Sequence, residues 1–232
     1  MPWFFIDYWY IILVLPALLI SLWAQWRVKS TFRKYGQVRI RCGLTGAEVS
    51  EIIQRANGLR VPVQDIPGEL TDHYDPSANV IRLSAPVGRH STVAAAGVAA
   101  HETGHALQHA QGYGPIRLRM ALVKPTQFAS SITPILILLG IILSIDGLAI
   151  FGVALFSLST LFQLVTLPVE FNASARAVKA LEADGRLSDA ELAGVRKVLT
   201  AAALTYVAAL LVSLAQFLRL LLIVLGNSRR RR

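Results

Sequence analysis

Four long apolar stretches are the strongest pattern in this sequence. They cover residues 8–26, 128–145, 148–167 and 201–225. About 20 consecutive apolar residues are enough for a helix to cross the hydrocarbon core of a bilayer, so each stretch predicts a transmembrane helix. Only Asp146 and Gly147 separate the second stretch from the third. Both are turn-forming residues, and they predict a tight turn and therefore a transmembrane hairpin.

A more polar region lies between the first and second apolar stretches. Thr45 and Glu48 have the spacing of a capping box, which predicts a helix over residues 46–57. Alternating apolar positions predict three short strands. These strands cover residues 59–66, 70–74 and 80–83. Pro62 favours an edge position for the first strand. Turn-forming residues join the other two into a hairpin, which either binds substrate at its exposed edge or simply covers the next helix.

The next helix carries the candidate chemistry. Its predicted extent is residues 93–111, with Ser91 or Thr92 as its N-terminal cap. It contains the letters HETGH, an H-E-x-x-H pattern. Because residues four apart share one face of a helix, His101 and His105 can direct two imidazoles at one metal ion. Glu102 lies close enough to act as a general base on a water bound to that metal.

A third ligand from the same helix is excluded by spacing. In one zinc-protease class a glycine and a histidine follow the motif at fixed positions, but this chain has Gln108 and Gln111 there. His109 lies eight residues after His101, which is about 12 Å of helix rise, too far for a shared ion. We therefore expect His109 to support the site or contact substrate.

A glutamate further along the chain can complete the site instead. The candidates are Glu170, Glu182 and Glu191. Glu170 adjoins an apolar stretch, where a buried carboxylate needs a partner such as a metal. Glu182 and Glu191 flank a turn and are also explained as solvated charges. The pattern thus favours Glu170 together with His101 and His105, and this donor set suits Zn²⁺.

Other side chains are candidates for stabilising the oxyanion or contacting substrate. They are His73, Tyr74, Arg176 and Tyr206. Each also has an ordinary explanation as a packed aromatic ring or a solvated charge. His73 ranks first because it lies in a polar cluster on the hairpin.

Composition agrees with a membrane protein. The chain has 232 residues, of which 54% are hydrophobic and 16% are charged. Its single cysteine, Cys42, excludes an intrachain disulfide. The formal net charge is +9, but the basic residues cluster beside apolar stretches, and no nucleic-acid recognition motif accompanies them. We therefore expect contact with anionic lipid headgroups and no nucleic-acid partner. The two basic clusters are Arg27, Lys29, Arg33, Lys34, Arg39 and Arg41, and residues 229–232.

The predicted fold is a mainly α integral membrane protein with about four transmembrane helices. It also has a small α+β zincin-like cytoplasmic module, made of a short β-hairpin and the H-E-x-x-H helix. The first basic cluster places this module in the cytoplasm. If the last helix spans fully, its basic tail lies outside, against the positive-inside tendency, and the sequence leaves that conflict open. The predicted parts are an anchor, the metallopeptidase module, a transmembrane hairpin, and a third-ligand helix with the last transmembrane helix. These parts cover residues 1–26, 27–125, 126–168 and 169–232.

Three groups of letters carry a resemblance to a known family. HETGH followed by ALQH, LTDHYDP followed by IRLS, and LPVEFNAS resemble the YugP-type neutral zinc metallopeptidases of the bacterial membrane. More distantly, the chain is similar to the HtpX-type membrane proteases and the CAAX prenyl proteases, which are gluzincins. The resemblance covers nearly the whole chain. It implies proteolysis, Zn²⁺, Glu170 as a ligand, and a multi-pass protein of the bacterial inner membrane.

The chain departs from the gluzincin pattern at one position. Many gluzincins have an aspartate four residues after the ligand glutamate, where it orients a ligand histidine; here that residue is Ser174. We expect Ser174 or Asn172 to take this role by hydrogen bonding.

The predicted function is that of a membrane-embedded zinc metalloendopeptidase. It would hydrolyse peptide bonds with a Zn²⁺-bound water at the cytoplasmic face, in membrane-protein quality control or processing. Its predicted partners are the lipid bilayer and a peptide or membrane-protein substrate. The alternatives are a non-catalytic membrane scaffold with a structural zinc site and a small transporter that handles ions in the bilayer.

Overall fold

The computed structural model describes residues 7–230, and the side chains up to residue 226. This part of the chain is mostly helical and contains one small sheet. The helices are α1 (Leu15–Tyr35, preceded by a π-helical turn, Tyr10–Val14), α2 (Gly46–Ala56), α3 (Ala85–Gly88), α4 (Val93–Ala110), α5 (Gly114–Ile142), α6 (Asp146–Asp184) and α7 (Asp189–Arg230). The strands are β1 (Val63–Ile66), β2 (His73–Asp75) and β3 (Val80–Ser84).

Long apolar helices confirm the prediction of about four spanning segments. Within the described residues, four helices are long and apolar enough to cross a membrane. They are Tyr10–Tyr35, Gly114–Ile142, Asp146–Asp184 and Asp189–Gly226. The third helix includes Pro168 and continues well beyond the apolar stretch that predicted it.

The turn of the predicted hairpin lies elsewhere than expected. Asp146 begins α6, and the chain reverses over residues 143–145, where Ser144 has a left-handed backbone with φ of 61°. A carboxylate is stabilised by the partial positive charge at a helix N-terminus, which explains why Asp146 starts the helix. The prediction of a turn at Asp146 and Gly147 was therefore wrong in position.

The described residues form two compact units. The first, the helical unit, contains the chain up to Ala24, Leu118–Leu167, and the chain from Thr205 onward. Its apolar core joins α5, α6 and α7. Core residues are Ile137, Ala149, Val153, Leu220 and Val224.

An ion pair neutralises the one buried arginine of the last apolar stretch. In the helical unit the guanidinium of Arg219 donates to Asp7 Oδ2 from Nε at 2.9 Å and from Nη2 at 2.6 Å. It also lies over the ring of Tyr10, 5.3 Å from the centroid. Burying a guanidinium in an apolar helix is costly unless it is paired, and this pair supplies the partner.

The second unit, the mixed unit, contains Gln25–Arg117 and Pro168–Leu204. Its three described strands form one sheet with the order β1-β3-β2. β2 and β3 are antiparallel, which confirms the hairpin, and β1 is parallel to β3 at the opposite edge. β1 and β2 are shorter than predicted. Leu70, expected in the second strand, has a left-handed backbone with φ of 56°, so it cannot continue that strand.

Two apolar clusters in the mixed unit enclose α4 from different sides. One joins α4 to α2, α6 and α7, and the other joins it to the sheet and α3. The first includes Val49, Ile53, Ala100, Leu107, Leu181 and Val195. The second includes Val61, Tyr74, Ile81, Leu83, Ala99 and Ala106. This double burial explains why the H-E-x-x-H helix is apolar around most of its circumference.

Hydroxyl groups connect α2 to α4 inside this core. Ser50 and Thr103 are fully buried, with their oxygens 2.7 Å apart. Thr103 donates to the Ala99 carbonyl, and the Gln54 side-chain amide donates to Ser50. Gln54 also accepts from the Val61 N–H at 2.6 Å. Each buried polar group therefore has a partner, as packing in a low-dielectric interior requires.

Candidate metal centre

α4 brings its two histidines together through local geometry alone. Of the two predicted caps, Thr92 is the one that caps the helix, by accepting from the Ala95 N–H at 3.2 Å. One turn separates His101 from His105, and their ring centroids are 4.7 Å apart at an interplanar angle of 83°. The two imidazoles therefore face one volume from the same helix.

Glu170 on α6 reaches that volume. Its Oε2 lies 3.2 Å from His101 Nε2 and 3.4 Å from His105 Nε2. One ligand atom from each of the three residues lies within 4.8 Å of the other two. Glu170 exposes only 2% of its surface, and the two histidines expose 9% and 8%. The structure thus brings together the three residues that the sequence proposed as a metal site.

The other two candidate glutamates have different partners. Glu182 forms an exposed ion pair with Arg196. Glu191 caps α7 by accepting from Ser188, and it accepts from the Arg41 N–H at 2.7 Å. Neither carboxylate belongs to the group formed with His101 and His105.

A glycine permits α6 to approach α4 so closely. A Cβ added to Gly104 would lie 2.7 Å from the Ala173 carbonyl oxygen. That distance is shorter than the contacts that real Cβ atoms make. The neighbouring atom belongs to the backbone, which cannot move aside as the end of a flexible side chain can. The glycine within HETGH therefore has a packing role, because it lets the helix that carries Glu170 reach the histidines.

Gln108 holds His105 in one tautomer. Its side-chain nitrogen donates to the Val169 carbonyl at 2.8 Å and to Asn172 Oδ1 at 3.0 Å. A carbonyl only accepts, so the amide orientation is determined and Gln108 Oε1 faces His105 Nδ1 at 3.0 Å. His105 Nδ1 must then carry a proton, which leaves the lone pair on Nε2.

The approach of the His105 Nε2 lone pair to Glu170 requires a cation between the imidazoles and the carboxylate. A lone pair on His105 Nε2 that faces a carboxylate oxygen is repulsive unless a proton or a metal ion lies between them. Burial lowers the pKa of His105, but the hydrogen bond with Glu170 and the charges of Glu102 and Glu170 outweigh burial and raise it. The donor set of two imidazoles and one carboxylate fits zinc.

Ser174 supports the other histidine. Its hydroxyl lies 3.1 Å from His101 Nδ1, at the position where the sequence suggested a hydrogen-bonding substitute for aspartate. Asn172, the other candidate, contacts Gln108 and accepts from Arg176 Nε at 2.7 Å. Both histidines therefore have neutral partners at Nδ1.

Glu102 is held by the hairpin. Its Oε2 accepts from the backbone N–H of Tyr74 on β2 at 2.9 Å, and the residue is 8% exposed. Asp72 precedes that strand and accepts from both the N–H and the hydroxyl of Ser84. Burial raises the pKa of the Asp72 carboxyl, and the charge of Glu102 adds to this effect.

The remaining candidate residues occupy varied positions. The Tyr74 hydroxyl donates to Asn79 at 2.8 Å and lies 3.0 Å from His109 Nδ1, so His109 anchors the hairpin to α4. His73 lies next to Tyr74 on β2, so its side chain points to the opposite face of the sheet. Its ring nitrogens contact the Thr71 carbonyl and Arg82.

Two further candidates, Arg176 and Tyr206, are not members of the group formed by His101, His105 and Glu170. Arg176 donates to Asn172 and to Gln111, and it lies 5.8 Å from the centre of the Tyr113 ring. Tyr206 belongs to the helical unit, so its part in the site stays a prediction.

Sequence reasoning missed Gln108 and Gly104 as parts of the site. Gln108 entered only as a residue that excluded another zinc-protease class. A usable signal was present, because Gln108 is a polar residue in an apolar helix, three positions after a ligand histidine. Gly104 gave a weaker signal, since glycine inside a helix costs about 1 kcal/mol relative to alanine and needs a reason.

Two histidines and a glutamate that face one volume are typical of a known class of protein, the zinc-dependent proteins. Residues 10–225 match the family described as "Putative neutral zinc metallopeptidase", and the chain is a member of that family. Zn²⁺ is the cofactor that membership implies, and His101, His105 and Glu170 form a group that can hold it.

One relative shares most of its length with this chain. It is named "Putative membrane protease YugP" and comes from Bacillus subtilis (strain 168). The two are 49% identical over 219 residues, which cover 94% of this chain and 97% of the relative. No solved structure matches the chain. The resemblance seen in the sequence is confirmed, and with four candidate spans the chain is a multi-pass membrane protein.

Proposed function

We propose that this protein is a membrane-embedded zinc metalloendopeptidase with a zincin-like site in the mixed unit. One observation carries the proposal. His101, His105 and Glu170 direct ligand atoms at one volume, and the carboxylate of Glu102 follows His101 on the same buried helix. A structural zinc site has no need of that additional carboxylate.

His101 Nε2, His105 Nε2 and a Glu170 carboxylate oxygen would hold the zinc. Zinc bound by three protein ligands acts as a Lewis acid, which lowers the pKa of a coordinated water toward neutrality and polarises a carbonyl group. Ser174 and Gln108 orient the two imidazoles, and the Nδ1 proton of His105 is held on Gln108 Oε1. These neutral partners keep both rings aligned without adding charge.

Glu102 is the proposed general base. It accepts a proton from the attacking water and passes it to the leaving amine. The peptide N–H of Tyr74 holds one carboxylate oxygen in place, so the other oxygen is oriented for the transfer.

The hairpin supplies a surface for an extended peptide. β2 lies at the edge of the sheet and is bonded to β3 on one side only. An extended substrate can add to such an edge through main-chain hydrogen bonds. The contact between Tyr74 and Glu102 places this strand beside the proposed base, which supports peptide rather than small-molecule substrates.

A membrane setting favours substrates that are membrane proteins or lie near the bilayer. The site shares its unit with Gln25–Arg117, which contains the first basic cluster, and basic residues are retained on the cytoplasmic side. We therefore propose that the site faces the cytoplasm of a bacterial inner membrane and acts in membrane-protein quality control or processing.

Glu102→Gln tests the chemistry. The purified variant should keep about one zinc per chain, because the three ligands remain. It should lose at least about 10³-fold in the rate of peptide cleavage, because the base is gone. Metal content is measured by mass spectrometry and cleavage with a quenched fluorescent casein. Glu182→Gln is the matched control, since it removes an exposed carboxylate outside the site. A wild type that binds zinc without cleaving any peptide would instead support the scaffold alternative.

Cys42 tests the orientation without any substitution. It is the single cysteine of the chain, and it is exposed in the mixed unit. A membrane-impermeant maleimide should label it in inside-out vesicles and leave it unlabelled in intact spheroplasts. Labelling in intact spheroplasts would place the site on the outer side.

A further inference from the structure

A basic cavity lies between the end of α1 and the start of α7 in the mixed unit. It has a volume of about 550 Å³. Four cationic side chains line it, of which Arg196 also forms the ion pair with Glu182, and the described lining residues include no acidic side chain. The cations are Arg27, Lys34, Arg196 and Lys197. Hydroxyl groups of Ser30, Thr31 and Thr200 complete its polar wall.

Helical spacing explains why the cations converge. Arg27 and Lys34 are seven residues apart, so they lie two turns apart on one face of α1. Arg196 and Lys197 begin a corresponding face of α7 that continues to Thr200 and Leu204. α7 packs closely here, because a Cβ added to Gly194 would lie 2.9 Å from the Tyr35 ring.

The cavity lies where apolar sequence gives way to polar sequence on both helices. Trp26, the last residue of the first apolar stretch, directly precedes Arg27 and is 63% exposed. The last apolar stretch begins at Ala201, which lines the cavity with Leu204. An aromatic ring at such a boundary is typical of the membrane interface. The cavity therefore has a cationic end for a headgroup and an apolar end toward the acyl chains.

We propose that this cavity binds the phosphodiester headgroup of an anionic phospholipid. Basic pockets between membrane helices on the cytoplasmic side have the charge and position that anionic headgroups need. Arg27 and Lys34 are about 10 Å apart along α1, and this distance is greater than the thickness of one headgroup layer. The site can therefore extend from the water to the acyl region. A bound lipid would hold the metal-bearing module against the membrane surface.

The test measures lipid binding by the full chain in detergent with native mass spectrometry. Phosphatidylglycerol is the anionic probe and phosphatidylcholine the zwitterionic one. Wild type should bind phosphatidylglycerol at least about tenfold more tightly. The double variant Lys34→Gln/Lys197→Gln should weaken that binding about 30-fold, because each lysine near a membrane surface contributes roughly a factor of five.

Matched variants separate a specific site from general charge. Lys29→Gln/Arg33→Gln also removes two cations from α1, but these residues line a different cavity, so binding should change by less than about threefold. Lys34→Arg/Lys197→Arg keeps the charge and should keep the affinity, which excludes a folding defect as the cause. Equal losses in the two charge-removing variants would overturn the proposal. Displacement of the lipid by excess inorganic phosphate would overturn it as well, since the site would then serve free phosphate.

Discussion

The two helices that form the metal centre contribute to it in different ways. α4 carries two proposed ligands and the proposed base within one turn of helix, at His101, Glu102 and His105. α6 carries one proposed ligand, Glu170, and the hydroxyl of Ser174, in a helix that begins at Asp146. The geometry on α4 follows from helical periodicity, whereas the position of α6 depends on packing against α4.

This difference shows where the site is vulnerable. The histidine pair stays together as long as α4 is helical. Glu170 stays in place only while Gly104 permits close packing and Gln108 joins α4 to the backbone of α6. Substitutions that affect the contact between the helices should therefore reduce zinc binding more than substitutions that affect α4 alone.

The largest effect is expected for Glu170→Ala. It removes one of the three ligands and leaves two imidazoles that hold zinc weakly. Zinc content should fall to near zero at micromolar zinc, and peptide cleavage should fall at least about 10³-fold. Metal analysis after dialysis measures the first and a peptidase assay the second. Glu182→Ala, which removes an exposed carboxylate of the same helix, should retain both. The opposite pattern would transfer the ligand role to Glu182.

Gly104→Ala tests the packing contact itself. The new methyl would lie 2.7 Å from the Ala173 carbonyl oxygen, so α6 must shift away. Overpacking of this kind costs about 1–3 kcal/mol of stability. The shift also moves Glu170, so zinc affinity should fall by about 10–100-fold, the range seen when ligand support is lost.

Gly97→Ala is the matched control on the same helix. The nearest atom to its new methyl would be a Val195 side-chain methyl at 3.3 Å, which can adjust, and no atom would lie closer than that. Competition with a chromogenic zinc chelator measures both affinities. If both variants bind zinc as the wild type does, close packing at Gly104 is not needed for the site.

Gln108→Leu and Ser174→Ala compare the two histidine partners. Gln108 contacts His105, Val169 and Asn172, and its loss leaves the buried Val169 carbonyl without this donor. Ser174 contacts His101 through one hydrogen bond. We expect Gln108→Leu to lower zinc affinity by about 100-fold and Ser174→Ala by about tenfold. Isothermal titration with zinc measures both losses. A larger loss of zinc affinity in Ser174→Ala than in Gln108→Leu would show that His101 depends on its partner more than His105 does.

Thr92→Ala should have the smallest effect on the site. It removes the N-cap of α4, which typically costs about 1 kcal/mol of folding free energy. The histidine pair lies more than two turns away and keeps its helical spacing. Stability should therefore fall in chemical denaturation, while zinc affinity stays within about twofold of the wild type. A tenfold loss of zinc affinity would mean that the α4 pair is not as independent as helical geometry implies.

Much of this architecture could be predicted because its signals are local. The capping box at Thr45, the N-cap of α4 and the apolar stretches each act within a few residues, and the structure confirms them. The parallel pairing of β1 with β3 had no such signal, because it joins segments with no short turn between them. The turn at Ser144 was misplaced because Asp146 suits both a turn and a helix N-terminus.

The sequence by itself determined that two imidazoles share one face of a helix and that a carboxylate directly follows the first of them, because helical periodicity follows from backbone geometry. It also favoured Glu170 among three downstream glutamates as the third ligand. Only the tertiary structure decided that Glu170 meets the histidines, that Gln108 sets the tautomer of His105, and that the peptide N–H of Tyr74 holds Glu102. These contacts join residues far apart in the chain, and their distances depend on how closely α4, α6 and the hairpin pack, which no local pattern specifies.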